Sequence, residues 1–320
     1  MFKLLLSVFL FFVFLLSFFA ASFLDNSRNY KIETEELLPV KINRSYLTII
    51  NYNTLIFAGD VMIGRSVQTQ ALNNGSVHYP FLKTREFLSS ADITFVNLEN
   101  PIISDCPIHN TGFIFCAKAD FAKAIKEAGI DVVSLANNHT MNYGTKGLAE
   151  TRKILDETGI RYTGVGEIEI IVSNGVKFGF LGFDKSQIPK PVLTQAEKEL
   201  ISEANIKVDV LIVSMHWGVE YQDYANSGQK DLAKEIVDLG ADVIIGHHPH
   251  VVQDYEEIAG VPVFYSLGNF VFDQMWSEKT KKGKLVKIVF ENTQIVGIKE
   301  YNTYIEKVGQ PIIVSDATLN

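Results

Sequence analysis

Five times along this chain a short, mostly apolar run ends on residues that can bind a metal. Residues 55–58 lead into Gly59 and Asp60, residues 93–96 into Asn97 and Glu99, and residues 132–135 into Asn137, Asn138 and His139. Residues 208–214 lead into Met215 and His216, and residues 243–245 into Gly246, His247, His248, Pro249 and His250. Flanked by turn residues, runs this short read as buried strands rather than helices. Helical stretches alternate with them: 119–128, stopped by Gly129; a second from a Thr145 cap to about Glu157, stopped by Gly159; and 231–239. This alternation specifies an α/β fold with parallel strands, in which ligands bind beyond the carboxyl ends of the strands. A core has no use for polar residues there, whereas a site does.

The rest of the pattern is antiparallel. Asn174-Gly175 between residues 169–173 and 176–183 marks a two-residue hairpin. Residues 263–266 form a further strand, and 285–313 read as antiparallel strands with Asn292 in a turn.

Five of the seven histidines sit in three of the strand-end clusters. Neutral imidazole is the commonest protein metal ligand. Asp60 and Glu99 add anionic oxygens and Asn138 a neutral one. This nitrogen and oxygen set, without thiolate, suits Mn, Fe or Zn, as one ion or two. A carboxylate can bridge two metals about 3.5–4 Å apart, and such a pair activates water for displacement at phosphorus. Taken singly, an Asp after Gly is a turn residue and Asn138 tolerates a left-handed turn. Their recurrence at successive strand ends points to a site.

Residues 4–24 carry no charge, and their only polar residues are Ser7, Ser17 and Ser22. As a helix this run spans roughly 30 Å, enough to cross a bilayer core. A signal anchor fits, as does a cleaved signal peptide with Ala20-Ala21-Ser22 as its cleavage site; the length favours the anchor. Either places the rest of the chain outside the cytoplasm, held at the membrane in the first case and secreted in the second. Residues 25–52 read as a linker and 53–315 as the ordered domain. In an exported chain Cys106 and Cys116 can close a small loop; two free buried thiols are the alternative. The formal net charge of -8 argues against a nucleic-acid partner.

The motifs Phe57-Ala-Gly-Asp-Val-Met-Ile-Gly-Arg65, Val96-Asn-Leu-Glu-Asn-Pro101, Ser134-Leu-Ala-Asn-Asn-His139, Ser214-Met-His-Trp-Gly218 and Gly246-His-His-Pro-His250 closely resemble the CapA/PgsA capsule-synthesis family. So do Gly112-Phe-Ile-Phe-Cys116 and Phe264-Tyr-Ser-Leu-Gly-Asn-Phe270. The resemblance covers roughly residues 54 to 275 and keeps the family's motif order. It implies a fold related to calcineurin-like metallophosphoesterases: a four-layered α/β sandwich of two facing mixed sheets flanked by helices. It further implies a role in poly-γ-glutamate capsule export or assembly, with an acidic polymer or its precursor and polymer synthase subunits as partners.

Carried over residue by residue, the resemblance makes Asp60, Glu99, Asn138, His216, His248 and His250 metal ligands. His139 becomes the residue that assists the leaving group or the phosphate, and His247 the less fitting member of its cluster. The chain departs from the phosphoesterase pattern at Met62, where those enzymes have histidine, and at Glu99, where they have aspartate. Arg65 either supplies positive charge for an anionic substrate or forms a structural ion pair. Asn97, Trp217 and Asn269 either line the pocket or pack in the core. Three functions stay open: metal-dependent hydrolysis or transfer on an acidic polymer, an exported phosphoesterase with small substrates, and a non-catalytic accessory subunit.

Overall fold

The computed structural model describes residues 51–315 except 187 and 189. The proposed anchor, and the linker up to residue 50, lie outside the described residues. Among the described residues no helix is long and apolar enough to cross a membrane.

The elements run β1 (Tyr52–Val61), α1 (Arg65–Asn73), α2 (Arg85–Leu88), β2 (Ile93–Leu98), α3 (Asp120–Glu127), β3 (Val132–Ser134), α4 (Gly144–Thr158) and β4 (Arg161–Thr163). There follow β5 (Glu169–Ser173), β6 (Val176–Asp184), α5 (Gln195–Lys207), β7 (Val210–His216), α6 (Ser227–Asp238) and β8 (Val243–His247). The chain closes with β9 (Tyr255–Ile258), β10 (Val261–Phe264), β11 (Asn269–Val271), β12 (Lys282–Glu291), β13 (Gln294–Lys307) and β14 (Gln310–Val314). One sheet has the order β14-β13-β12-β1-β2-β3-β4, with β11 also paired to β1; the other has the order β5-β6-β7-β8-β10-β9. Both are mixed. β1 to β4 run parallel beside an antiparallel meander, and β6, β7, β8 and β10 run parallel between antiparallel edges.

Period-two alternation divides the core into layers. Leu55, Phe57, Ile93, Phe95, Ile288 and Phe290 point from the first sheet toward Phe178, Phe180, Ile212 and Ile245 of the second. The Phe95 and Phe180 rings stack across the gap with centroids 5.7 Å apart. The intervening residues Ile56, Ala58 and Val96 face the opposite way, onto Val67 of α1, Phe121 and Ile125 of α3 and Leu155 of α4. On the second sheet, Leu211, Val213 and Ile244 meet Ile201 of α5 and Ile236 of α6. The result is the expected four-layered α/β sandwich.

Two local features position the ends of the sheets. The Asn174-Gly175 turn adopts left-handed backbone at both residues, φ 44° and 80°. From there the Asn174 amide donates to the Tyr52 carbonyl at 2.9 Å, joining the hairpin to β1 of the other sheet. At the opposite end of β1, Gly59 lets the chain approach closely: a Cβ there would sit 1.9 Å from the Gly268 carbonyl oxygen. The Asp60 amide bonds that carbonyl at 2.9 Å, which brings β11 alongside Asp60.

The structure corrects some local expectations. The helix expected from a Thr145 cap starts at Gly144, with Tyr143 at the cap position and no side-chain cap. α6 begins at Ser227 rather than 231, where Asn226 and Gln229 form a capping box. α1 and α5 were not foreseen, although Thr194 and Glu197 form a capping box at the start of α5.

Gly59→Ala is expected to destabilise the domain by about 1–3 kcal/mol or more, because the added methyl meets rigid backbone. Urea denaturation checks this; an unchanged midpoint would show that the segment at Gly268 can retreat from β1.

Candidate metal centre

The parallel strands of both sheets end on the same side, and their terminal residues converge. In register terms Asp60 lies beside Asn97, Asn97 beside Ser134, and His216 beside His247. Asp60 and Glu99 are fully buried. His250 Nδ1 lies 3.3 Å from Asp60 Oδ2, and its Nε2 lies 3.6 Å from Glu99 Oε1. Asp60, Glu99 and His250 form a group whose ligand atoms all lie within 4.8 Å of one another. On the other side of the site, His216 Nε2 lies 3.0 Å from Asn138 Oδ1, and the His216 and His248 rings have centroids 4.7 Å apart. His139 Nε2 is 3.9 Å from Glu99 Oε1. All seven residues read from the strand ends are thus brought together. His78 and His109 lie elsewhere, near Glu127 and the Ile114 carbonyl respectively.

The supporting residues hold this set in place. The Asn97 amide donates to Asp60 Oδ1 at 2.9 Å and to Glu99 Oε2 at 3.2 Å, while its oxygen accepts from Asn137. Asn269 Oδ1 lies 3.0 Å from His250 Nδ1, and its amide donates to the Thr280 carbonyl. Both asparagines are fully buried, so they orient ligands and do not line a cleft. Trp217 is also fully buried; its Nε1 donates to the Tyr265 carbonyl at 2.9 Å and its ring stacks on Tyr265. Core packing is therefore the arrangement found at Trp217. Of the two roles open to Arg65, the ion pair is the one formed: its guanidinium is 2.5 Å from Asp273, donates to the Gly112 carbonyl and lies over the Phe115 ring. Cys106 and Cys116 are joined in a disulfide that closes the loop containing Gly112.

His139 stacks on Phe115 with centroids 3.9 Å apart. Asn142 Oδ1 accepts the Phe115 amide at 2.6 Å and lies 3.1 Å from His139 Nδ1. That oxygen is an acceptor, so Nδ1 carries the proton and the Nε2 lone pair faces Glu99. His247, the less fitting member of its cluster by sequence, has its Nδ1 3.2 Å from Asp60 Oδ1. His248 and His250 both take left-handed backbone, φ 97° and 58°, strain of the kind that gathers at functional sites.

The electrostatics explain why a cation fits. Burial would raise the Asp60 carboxyl, but the His247 and His250 imidazoles outweigh it and hold Asp60 well below the usual range. Burial pushes Glu99 well above its usual range, and the Asp60 charge adds to this although His250 opposes it. Burial, with help from the His250 charge, depresses His248 to about 4; burial also keeps His139 and His216 low. These three imidazoles are neutral at pH 7, the form that ligates metals. Burial opposes charging His250, but Glu99 and Asp60 raise it to about 9. Glu99 Oε1 and His248 Nδ1 are buried without hydrogen-bond partners. A divalent cation would engage such orphaned lone pairs and allow both carboxylates to ionise together.

The comparisons with known proteins agree with this architecture. The family model described as bacterial capsule synthesis protein PGA_cap matches residues 54–274. The chain is 35% identical over 285 residues to the capsule biosynthesis protein CapA of Bacillus anthracis, covering 79% of this chain and 66% of that one. It is 34% identical over 257 residues to the PGA biosynthesis protein CapA of Bacillus subtilis (strain 168), covering 72% and 66%. The match thus spans just under two thirds of these relatives. A crystal structure of a phosphatase from Mycoplasma pneumoniae shares the fold, with TM-score 0.53 and 17% identity over 85% of this chain and 97% of that one.

Two predictions follow from the geometry. His250 has a folded-state pKa of about 9 against 6.5 for the free side chain, so its contribution is fully present below pH 6.5 and is lost as pH rises through 9. Urea denaturation in EDTA should show stability falling across that window by on the order of 3 kcal/mol at most, with a flatter profile in His250→Gln. Asn97→Ala should weaken Mn²⁺ binding about 10–100-fold, the usual effect of removing a group that orients ligands. Calorimetric titration reads this directly; wild-type affinity would deny Asn97 that role.

Proposed function

Because this chain belongs to the bacterial capsule synthesis protein family PGA_cap, we propose that it acts in capsule or poly-γ-glutamate synthesis or export, handling an acidic polymer or its precursor at a divalent-metal centre. One observation carries the metal: two fully buried carboxylates have imidazole nitrogens 3.2–3.9 Å from their oxygens, at the carboxyl ends of strands from both sheets. The capsule role is supported by the names of the Bacillus relatives.

Asp60, Glu99, Asn138, His216, His248 and His250 would hold the metal, as one ion or two of Mn, Fe or Zn. A cation there supplies electrophilic stabilisation to negative charge developing on a carbonyl or phosphoryl oxygen. Everything else is done by the chain. Asn97 and Asn269 fix the ligand geometry. The neutral His139 presents Nε2 toward the reacting region, where it can take a proton from a nucleophile and return it to a leaving group. A cleft of about 520 Å³, lined by Asn138, Gly218, Glu220, Asn226 and His248, gives the polymer access. The reaction class is hydrolysis or transfer.

The proposed location is the outer side of the cell membrane, with residues 4–24 as the anchor, or secretion if that segment is removed. The Cys106–Cys116 disulfide supports an oxidising compartment. Polymer synthase subunits are the proposed partners.

The test is full-length protein in detergent, supplied with Mn²⁺ and poly-γ-glutamate, with chain length followed by size exclusion. The expected result is a change in chain length that Asp60→Asn abolishes and His139→Ala slows by about 10²–10⁴-fold. Turnover of a small phosphodiester instead would make the protein a phosphoesterase. Bound metal with neither activity would make it an accessory subunit.

A further inference from the structure

The loop after β7 carries a carboxylate that the ligand set above leaves out. Its path is fixed at three points. Trp217 is anchored to the Tyr265 carbonyl. Gly218 takes φ 84° against Gln229, whose side chain a Cβ there would meet at 2.8 Å. Tyr221 takes φ 65°, an uncommon conformation for a bulky residue, and its amide donates to the Pro249 carbonyl at 2.8 Å. That last bond ties the loop directly to the His248-Pro249-His250 turn.

Between these anchors stands Glu220. It is exposed, yet one carboxylate oxygen and one ring nitrogen each from His248 and His250 all lie within 4.8 Å of one another. His250 is common to this group and to the buried Asp60–Glu99–His250 group. His248 is 6% exposed, and its Nδ1 is buried without a hydrogen-bond partner. Met62, two residues after Asp60, offers no competing ligand: it is fully buried and its sulfur accepts the Gly64 amide at 3.1 Å.

We propose that Glu220 is a third carboxylate ligand of the centre, binding a divalent cation together with His248 and His250 on the side that faces the cleft. The proposal rests on the metal-centre reading above. One carboxylate and two imidazoles, with His250 giving up its proton to the cation that replaces it, suit the same Mn, Fe or Zn chemistry. Three carboxylates also balance the charge of two divalent cations better than the two buried ones alone. Two positive-φ residues and a loop-to-loop hydrogen bond spent on holding one exposed glutamate are what an outer ligand requires, and a freely solvated glutamate needs neither.

The experiment is Mn²⁺ titration of the full-length chain in detergent, with stoichiometry read by electron paramagnetic resonance and the ligand field read from the visible spectrum of the Co²⁺ form. Wild type, Asp60→Asn, Glu220→Gln and Glu220→Asp are compared. Glu220→Gln should lose one equivalent of Mn²⁺ or bind it at least about tenfold more weakly, and should shift the Co²⁺ bands. Its thermal midpoint in EDTA should match wild type. Should that midpoint fall, Glu220→Asp decides: recovery of Mn²⁺ binding supports ligation, and failure to recover overturns it. Wild-type stoichiometry, affinity and Co²⁺ spectrum in Glu220→Gln, alongside metal loss in Asp60→Asn, overturn this inference and leave the centre standing. If wild type takes up neither Mn²⁺ nor Co²⁺, both fall together.

Discussion

Two carboxylates, Asp60 and Glu99, are held with no exposed surface, and this domain is arranged around the need to balance them. A lone ionised carboxylate in a protein interior is strongly unfavourable, so the surroundings must supply charge or the group must keep its proton. Here the two solutions are divided. Asp60 keeps its charge through His247 and His250, and Glu99 is driven toward its neutral form. Such a pair favours a ligand that brings positive charge. The same demand explains why so many imidazoles are spent at one place, while burial keeps His139, His216 and His248 neutral.

The fold makes this possible by separating two tasks along each strand. In the parallel strands that end at the site the middle is mainly apolar on both faces, toward helices on one side and toward the facing sheet on the other. Packing there can hold polar termini in fixed positions at the carboxyl ends. Asn97 shows the coupling most directly. It is a residue of β2, in register with Asp60, and its amide touches both carboxylates. A shift of register by one residue would turn it to the other face of the sheet.

Much of this could be read in the amino-acid order. Strand ends are legible because an apolar run followed by Asp, Asn or His violates core logic at one end only. Asp60, Glu99, Asn138, His139, His216, His248 and His250 were found that way, and the structure gathers them. Glu220 was missed because a glutamate in a polar loop has no local signature; only the bond from Tyr221 to Pro249 places it beside the histidines. Arg65 was ambiguous for a similar reason, since its partner Asp273 lies far along the chain. Thr145 does not cap its helix, because Tyr143 and Gly144 open it without side-chain help, whereas Thr194 and Glu197 have the capping-box spacing in sequence and form the box in the structure.

The Asn174 turn has a mechanical meaning. Its amide reaches the Tyr52 carbonyl, and also lies 3.2 Å from Asn53 Oδ1, at the start of β1. The sandwich is therefore stitched at the end away from the histidines, like a book bound along its spine. At the fore-edge Asp60 on one leaf faces His248 and His250 on the other. A cation held by ligands from both leaves would clasp that edge as the Asn174 amide clasps the spine.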